Sequence, residues 1–135
     1  MTREAISTTG APAAIGPYSQ AIAIDGFVFC AGQAALDPAT GVLVEGGIEP
    51  EIERVMANLT AVLEAAGCAW SDVVKTTIFL VDMTEFAAVN AIYGRFVGDP
   101  PPARSTVGVA ALPKGARVEI EVIARRPTTG GRPHG

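Results

Sequence analysis

Three charged side chains stand where strand alternation would bring them together. Arg104 opens one β-prone run, Arg104 to Ala111, and Glu119 and Glu121 lie two apart in another, Arg117 to Ala124. Alternate residues of an extended chain share a face. Arg104, Thr106 and Gly108 therefore oppose Val107 and Val109, and Glu119 and Glu121 oppose Val118, Ile120 and Val122. If the valine and isoleucine sides pack inward, Arg104 and Glu119 project together from the other side of the sheet. A cation and a carboxylate so placed can form a structural ion pair. They can equally hold a small anion while the carboxylate moves protons. The pattern alone leaves both open.

Other chemistries have less to work with. The single histidine, His134, falls in a Gly- and Pro-rich tail, 127–135, expected to be flexible. The two cysteines, Cys30 and Cys68, are far apart in apolar segments, which suits buried thiols rather than a redox pair or a zinc cluster. Ten Lys and Arg against fourteen Asp and Glu give a net charge of −4 without a basic stripe, so nucleic acid is not expected as a partner. Apolar runs stop well short of the roughly 20 residues that span a bilayer. The residues from Met1 to Thr9 lack the basic-then-apolar pattern of a signal peptide. A cytoplasmic protein without a membrane partner is the expectation.

The elements that must position these residues read as one domain, 1–126. Tyr18 to Ile24 and Phe27 to Ala34 are β-prone runs joined by Asp25-Gly26, a dipeptide suited to a type I′ hairpin turn. Ile52, Val55, Met56, Leu59, Val62, Leu63 and Ala66 keep helical spacing, and Gly67 supplies the stop. Val73 to Val81 is rich in β-branched residues and predicts a strand. Asp82 with Glu85 three positions on resembles a capping box, opening a second helix through Phe96. Three prolines, 100–102, close that segment before the last two strands. The order ββαβαββ predicts an α+β fold, a mixed sheet with two helices on one face.

Such a sheet leaves its second face bare. Phe27 to Ala31 is apolar at every position, as for a strand covered on both sides, and mean hydropathy is +0.34 with 49% hydrophobic residues. Cover from further copies in a closed ring is therefore expected.

Six blocks in order extend the reading: Ile15-Gly16-Pro17-Tyr18-Ser19-Gln20, Ala31-Gly32-Gln33, Val74-Lys75-Thr76-Thr77, Asn90-Ala91-Ile92-Tyr93, Pro102-Ala103-Arg104-Ser105, and Leu112 through Glu121. Together they closely resemble the RidA (YjgF-like) reactive intermediate deaminases, from about Ala11 to Arg125. The resemblance implies a chorismate-mutase-like homotrimer with clefts between subunits and no metal or organic cofactor. It also implies hydrolysis of 2-iminobutanoate and 2-iminopropanoate, released by pyridoxal-phosphate enzymes, to 2-keto acids and ammonia.

Carried over by position, Arg104 matches the arginine that holds the substrate carboxylate, for which the planar guanidinium fork is suited. Gly32 matches a glycine whose N–H lies against the ligand; a strand bulge is its structural alternative. Glu119 matches the acid that positions and deprotonates water, with Glu121 on the same strand face as competitor. Tyr18 matches a tyrosine in contact with substrate or water, or one making a structural hydrogen bond. Thr106 stands where many relatives carry cysteine, and its backbone is expected to orient the water. Ala31 replaces a frequent serine. Asn90 reads as a structural hydrogen bonder, and Lys75 and Lys114 as solvated lysines. A module that binds small carboxylates without turnover is the alternative function, and a ribonuclease or translation inhibitor a more distant one.

Overall fold

The computed structural model describes residues 2–127; the expected tail with His134 lies outside them except for Pro127. Six strands form one sheet: β1 (Glu4–Ile6), β2 (Ala21–Ile24), β3 (Phe27–Gln33), β4 (Val73–Leu80), β5 (Ala103–Gly108) and β6 (Val118–Arg125), in the order β1-β2-β3-β6-β4-β5. Only β4 and β5 run parallel, joined by a crossover through the helix α2 (Phe86–Tyr93). The longer helix α1 (Ile48–Ala65) links β3 to β4.

The hairpin turn forms as its residues predict, with Asp25 at φ 54° and Gly26 at φ 84°. Helix α1 ends in a Schellman motif. Cys68 N–H donates to Leu63 O at 2.8 Å and Gly67 N–H to Glu64 O at 3.0 Å, with Gly67 at φ 82°.

Its apolar stripe, Ile52, Val55, Met56, Leu59 and Val62, packs onto Val28, Ile78, Leu80, Val118 and Ile120, all fully buried. Each such side chain contributes roughly 1.5–3 kcal/mol on leaving water. Among the described residues no helix covers the opposite face, and Phe29 and Val107 remain 45% and 41% exposed there.

Several boundaries differ from the sequence reading. Strand β1 is additional: three residues carry no period, and only Ile6 of the three is buried. Tyr18 precedes β2 instead of starting it. Asp82 does not pair with Glu85 in a capping box. Its carboxylate accepts from Thr84 N–H at 2.9 Å and opens a 3₁₀ turn, Met83–Glu85, ahead of α2. The helix stops at Tyr93, not Phe96, because the next turn tightens to i→i+3 bonds, Arg95 N–H to Ile92 O and Phe96 N–H to Tyr93 O, both 3.0 Å.

Candidate active site

Three of the expected site residues, Gly32, Glu119 and Tyr18, line one cleft. Strands β3 and β6 pair regularly from Phe27↔Arg125 to Cys30↔Val122, then slip so that Gln33 faces Ile120, leaving Ala31 and Gly32 in a bulge. Glu119 lies over that bulge. A Cβ on Gly32 would stand 2.8 Å from Glu119 Cδ and 3.1 Å from its Cγ, so only glycine leaves the carboxylate its seat. Of the two readings of Gly32, the strand bulge is present in the fold. Ile15, Tyr18, Lys114 and Leu36 complete the walls of a cleft of about 360 Å³.

Tyr18 comes from a loop held by a buried amide. The Gln20 side chain accepts from Thr8 N–H at 2.7 Å and donates to Pro12 O at 2.8 Å, fixing the segment before β2. Gly16 at φ 125° then turns the chain so that Tyr18, 55% exposed, stands at the mouth. Lys114 sits at the rim in a left-handed conformation, φ 59°, solvated as expected yet part of the lining. A groove of about 550 Å³ on the far side of Tyr18 is lined by Ile6 and otherwise by small or polar residues, none of them charged, which gives it little chemistry.

Burial pushes the Glu119 carboxyl above the usual range, and the like charge of Glu121 adds to the effect. Glu121 itself is exposed. A carboxyl that holds its proton more readily than usual is suited to both taking one from water and returning it.

Arg104 lies elsewhere. In the β4–β5 register it pairs with Thr76, and Thr106 with Ile78, both buried under the helices. Arg104 and Thr106 are therefore on the helix side of the sheet, whereas Glu119 pairs with Phe79 and Glu121 with Thr77 on the bare side. The expectation that Arg104 and Glu119 project from the same face is corrected here. In β6 the valines and isoleucine do turn inward; in the edge strand β5 the alternation is inverted, because the rings of α2 accept Arg104 while Val107 faces out.

The guanidinium seat is well defined. Arg104 Nη1 donates to Asn90 Oδ1 at 2.7 Å, and its Cζ stands 5.2 Å from the Phe86 ring and 5.1 Å from the Tyr93 ring. Among the described residues no carboxylate pairs with Arg104, so no negative charge of theirs compensates it. Asn90, read as structural, thus touches the candidate binding group. Its spacing from Phe86 and Tyr93, i, i+4 and i+7, is the stripe that would have marked this cradle. The Thr106 hydroxyl is sealed from solvent and makes no hydrogen bond among the described residues. It does not line the cleft, and the backbone around it lies on a strand with no neighbour at its outer edge.

Cys30 and Cys68 are free and buried, and burial raises both thiols, Cys30 to about 12, so neither offers a thiolate near neutrality. Among the described residues no three His, Cys, Asp or Glu side chains gather as a metal-ligand set. No helix among the described residues is long and apolar enough to cross a membrane.

An α+β sheet of this order, with a glycine-seated carboxylate on one face and an arginine in an aromatic cradle on the other, defines a recognisable class. A family model described as Endoribonuclease L-PSP matches residues 8–126, and the chain belongs to this YjgF/RidA family. A mouse protein named 2-iminobutanoate/2-iminopropanoate deaminase is 52% identical over 90% of this chain and 90% of its own. A RutC family protein of Synechocystis is 55% identical over 95% of this chain and 100% of its own. The crystal structure of E. coli TdcF with bound serine superposes with a TM-score of 0.86 at 37% identity, covering 91% of this chain and 98% of that one.

Proposed function

We propose that this protein hydrolyses 2-imino acids, 2-iminobutanoate and 2-iminopropanoate, to 2-keto acids and ammonia, at sites built between the copies of a cytoplasmic homotrimer. Arg104, tightly seated yet without a carboxylate partner among the described residues, is the observation that carries this reading. It leaves a fixed fork of donors for the carboxylate of a small acid. The names of the mammalian relatives supply the reaction class.

The chemistry asks little of the protein. The protonated imine is already electrophilic, so the demands are orientation, one water and a proton carrier. With the carboxylate held by Arg104, water adds to the imine carbon and Glu119 takes its proton. The neutral carbinolamine then receives that proton on nitrogen, the C–N bond breaks, and ammonia leaves as the hydroxyl becomes the keto group. The hydroxyl proton goes to ammonia, giving ammonium. Gly32 offers its N–H beside the substrate, Tyr18 contacts substrate or water at the mouth, and the backbone near Thr106 helps place the water. No cofactor is invoked.

A neighbouring copy supplies the missing half of each site in this reading. The large apolar side chains left exposed on the bare face, Phe29 on β3 and Val107 on β5, are its support, since exposed apolar surface commonly marks an interface.

The test couples a threonine dehydratase to this protein and follows loss of imine. Acceleration over buffer is expected; none would remove the activity. The serine held by the E. coli relative favours one other reading, capture of small carboxylates without turnover. A melting shift with 2-ketobutyrate and no rate would favour that.

A further inference from the structure

Beneath Arg104 lies a pair of hydroxyls with no access to water. Thr76 is fully buried, Tyr93 is 4% exposed, and Thr76 Oγ1 and Tyr93 Oη stand 2.7 Å apart. Burying two hydroxyls is costly unless they bond to each other, and the bond then returns only a modest net gain. Valine and phenylalanine would fill the same space without that cost. What the pair provides is direction: it ties the far end of the Tyr93 ring to β4 at the residue that registers with Arg104. The guanidinium carbon is 5.1 Å from that ring, and the phenyl of Phe86, which carries no hydroxyl, flanks it at 5.2 Å. Asn90 sets the direction of the fork through Nη1.

We infer that Thr76 and Tyr93 are positioning residues, their shared hydrogen bond fixing the ring on which Arg104 rests and so the aim of the carboxylate clamp. This rests on the proposed role of Arg104. The pair touches no substrate, and its effect passes through the guanidinium. A small tilt of the ring displaces the donors relative to a carboxylate, where misplacement on the ångström scale is felt in binding.

The test uses near-isosteric variants of the full chain: Thr76→Val, Tyr93→Phe, the double variant, and Thr76→Ser, which keeps the hydroxyl. Thr76→Val and Tyr93→Phe should each raise KM for the imine, and Kd for 2-ketobutyrate, about fivefold while kcat stays within about twofold. The double variant should be no worse than either single one, because one bond is lost in all three. Thr76→Ser should match wild type. The Arg104 Nε–H resonance of the free protein reads the seat over the rings without any ligand. Its displacement in the Val and Phe variants, restored in Thr76→Ser, supports the inference even if wild type hydrolyses no imine. An unmoved resonance with unchanged KM and Kd, whatever happens to the melting temperature, overturns it. Should a single variant fold poorly because one hydroxyl is orphaned, the double variant, which orphans neither, decides by the same criteria.

Discussion

Arg104 and Glu119 project from opposite faces of one sheet. Arg104 shares the helix side with its register partner Thr76, and Glu119 the bare side with its partner Phe79. Strand β4 separates them, and their partners lie three residues apart along it. That spacing amounts to about 10 Å across the sheet and about 10 Å along it. An imino acid of a few carbons cannot bridge that gap and the sheet as well, so a site that uses both residues needs two copies of the chain.

The seat of Glu119 on Gly32 gives the first prediction. Gly32→Ala places a methyl group where the carboxylate lies, and Glu119 must swing away. We expect kcat to fall at least about tenfold, with a stability loss of about 1–3 kcal/mol from overpacking. Steady-state kinetics with a melting curve would check this. A variant with unchanged kcat would show that the Glu119 position is not needed.

The acid limb of the pH–rate profile should report Glu119 losing its proton. Burial raises this carboxyl first, and the like charge of Glu121 raises it further. Glu121→Gln removes only the second cause, so the limb should move to lower pH, and Glu119→Gln should abolish it. A limb that stays put or moves upward in Glu121→Gln would contradict the assignment of proton transfer to Glu119.

Glu51 predicts how stability depends on pH. It is buried, with Oε1 accepting from Arg117 N–H at 2.9 Å and Oε2 3.6 Å from Arg117 Nε. Burial raises its carboxyl above the ordinary 4.5, against the lowering effect of Arg117. A carboxyl raised in the folded state favours folding below its unfolded value and loses that contribution as pH rises through the folded value. Glu51→Gln keeps an acceptor for Arg117 and should flatten the decline. Glu51→Ala orphans the Arg117 N–H and should cost about 1–3 kcal/mol. Urea titrations across the acid-to-neutral range measure both, and an unchanged slope in Glu51→Gln would refute the assignment.

Legibility in the sequence followed local determinism. Asp25-Gly26 and Gly67 announce their turns because few residues tolerate positive φ, and α1 is visible because five turns of helix repeat one stripe. Strand β1 is too short to carry a period, and Asp82 bonds two residues on where the sequence suggested a longer cap. For the site, the bulge seat was within reach, since Ala31-Gly32 and Glu119 fall on strands whose register follows from burial of Val118, Ile120 and Val122. The face of Arg104 was not. On an edge strand the alternation states which residues share a side but not which side is inward, and the answer here comes from the rings of α2. Asn90 reads in the sequence as a structural hydrogen bonder and no more for the same reason, because its partner Arg104 lies across the crossover.

A shared site can be tested by mixing two crippled chains. Arg104→Ala removes the charged clamp and should cost about 3 kcal/mol, roughly two decades in kcat/KM, and Glu119→Gln should lower kcat more than binding. Each variant alone should be nearly inactive. Co-assembled in equal amounts, they should regain about a quarter of wild-type imine hydrolysis, because about one interface in four unites an intact Arg104 with an intact Glu119. Co-assembled chains no more active than the separate variants would mean that both residues must come from one copy, contrary to the geometry proposed.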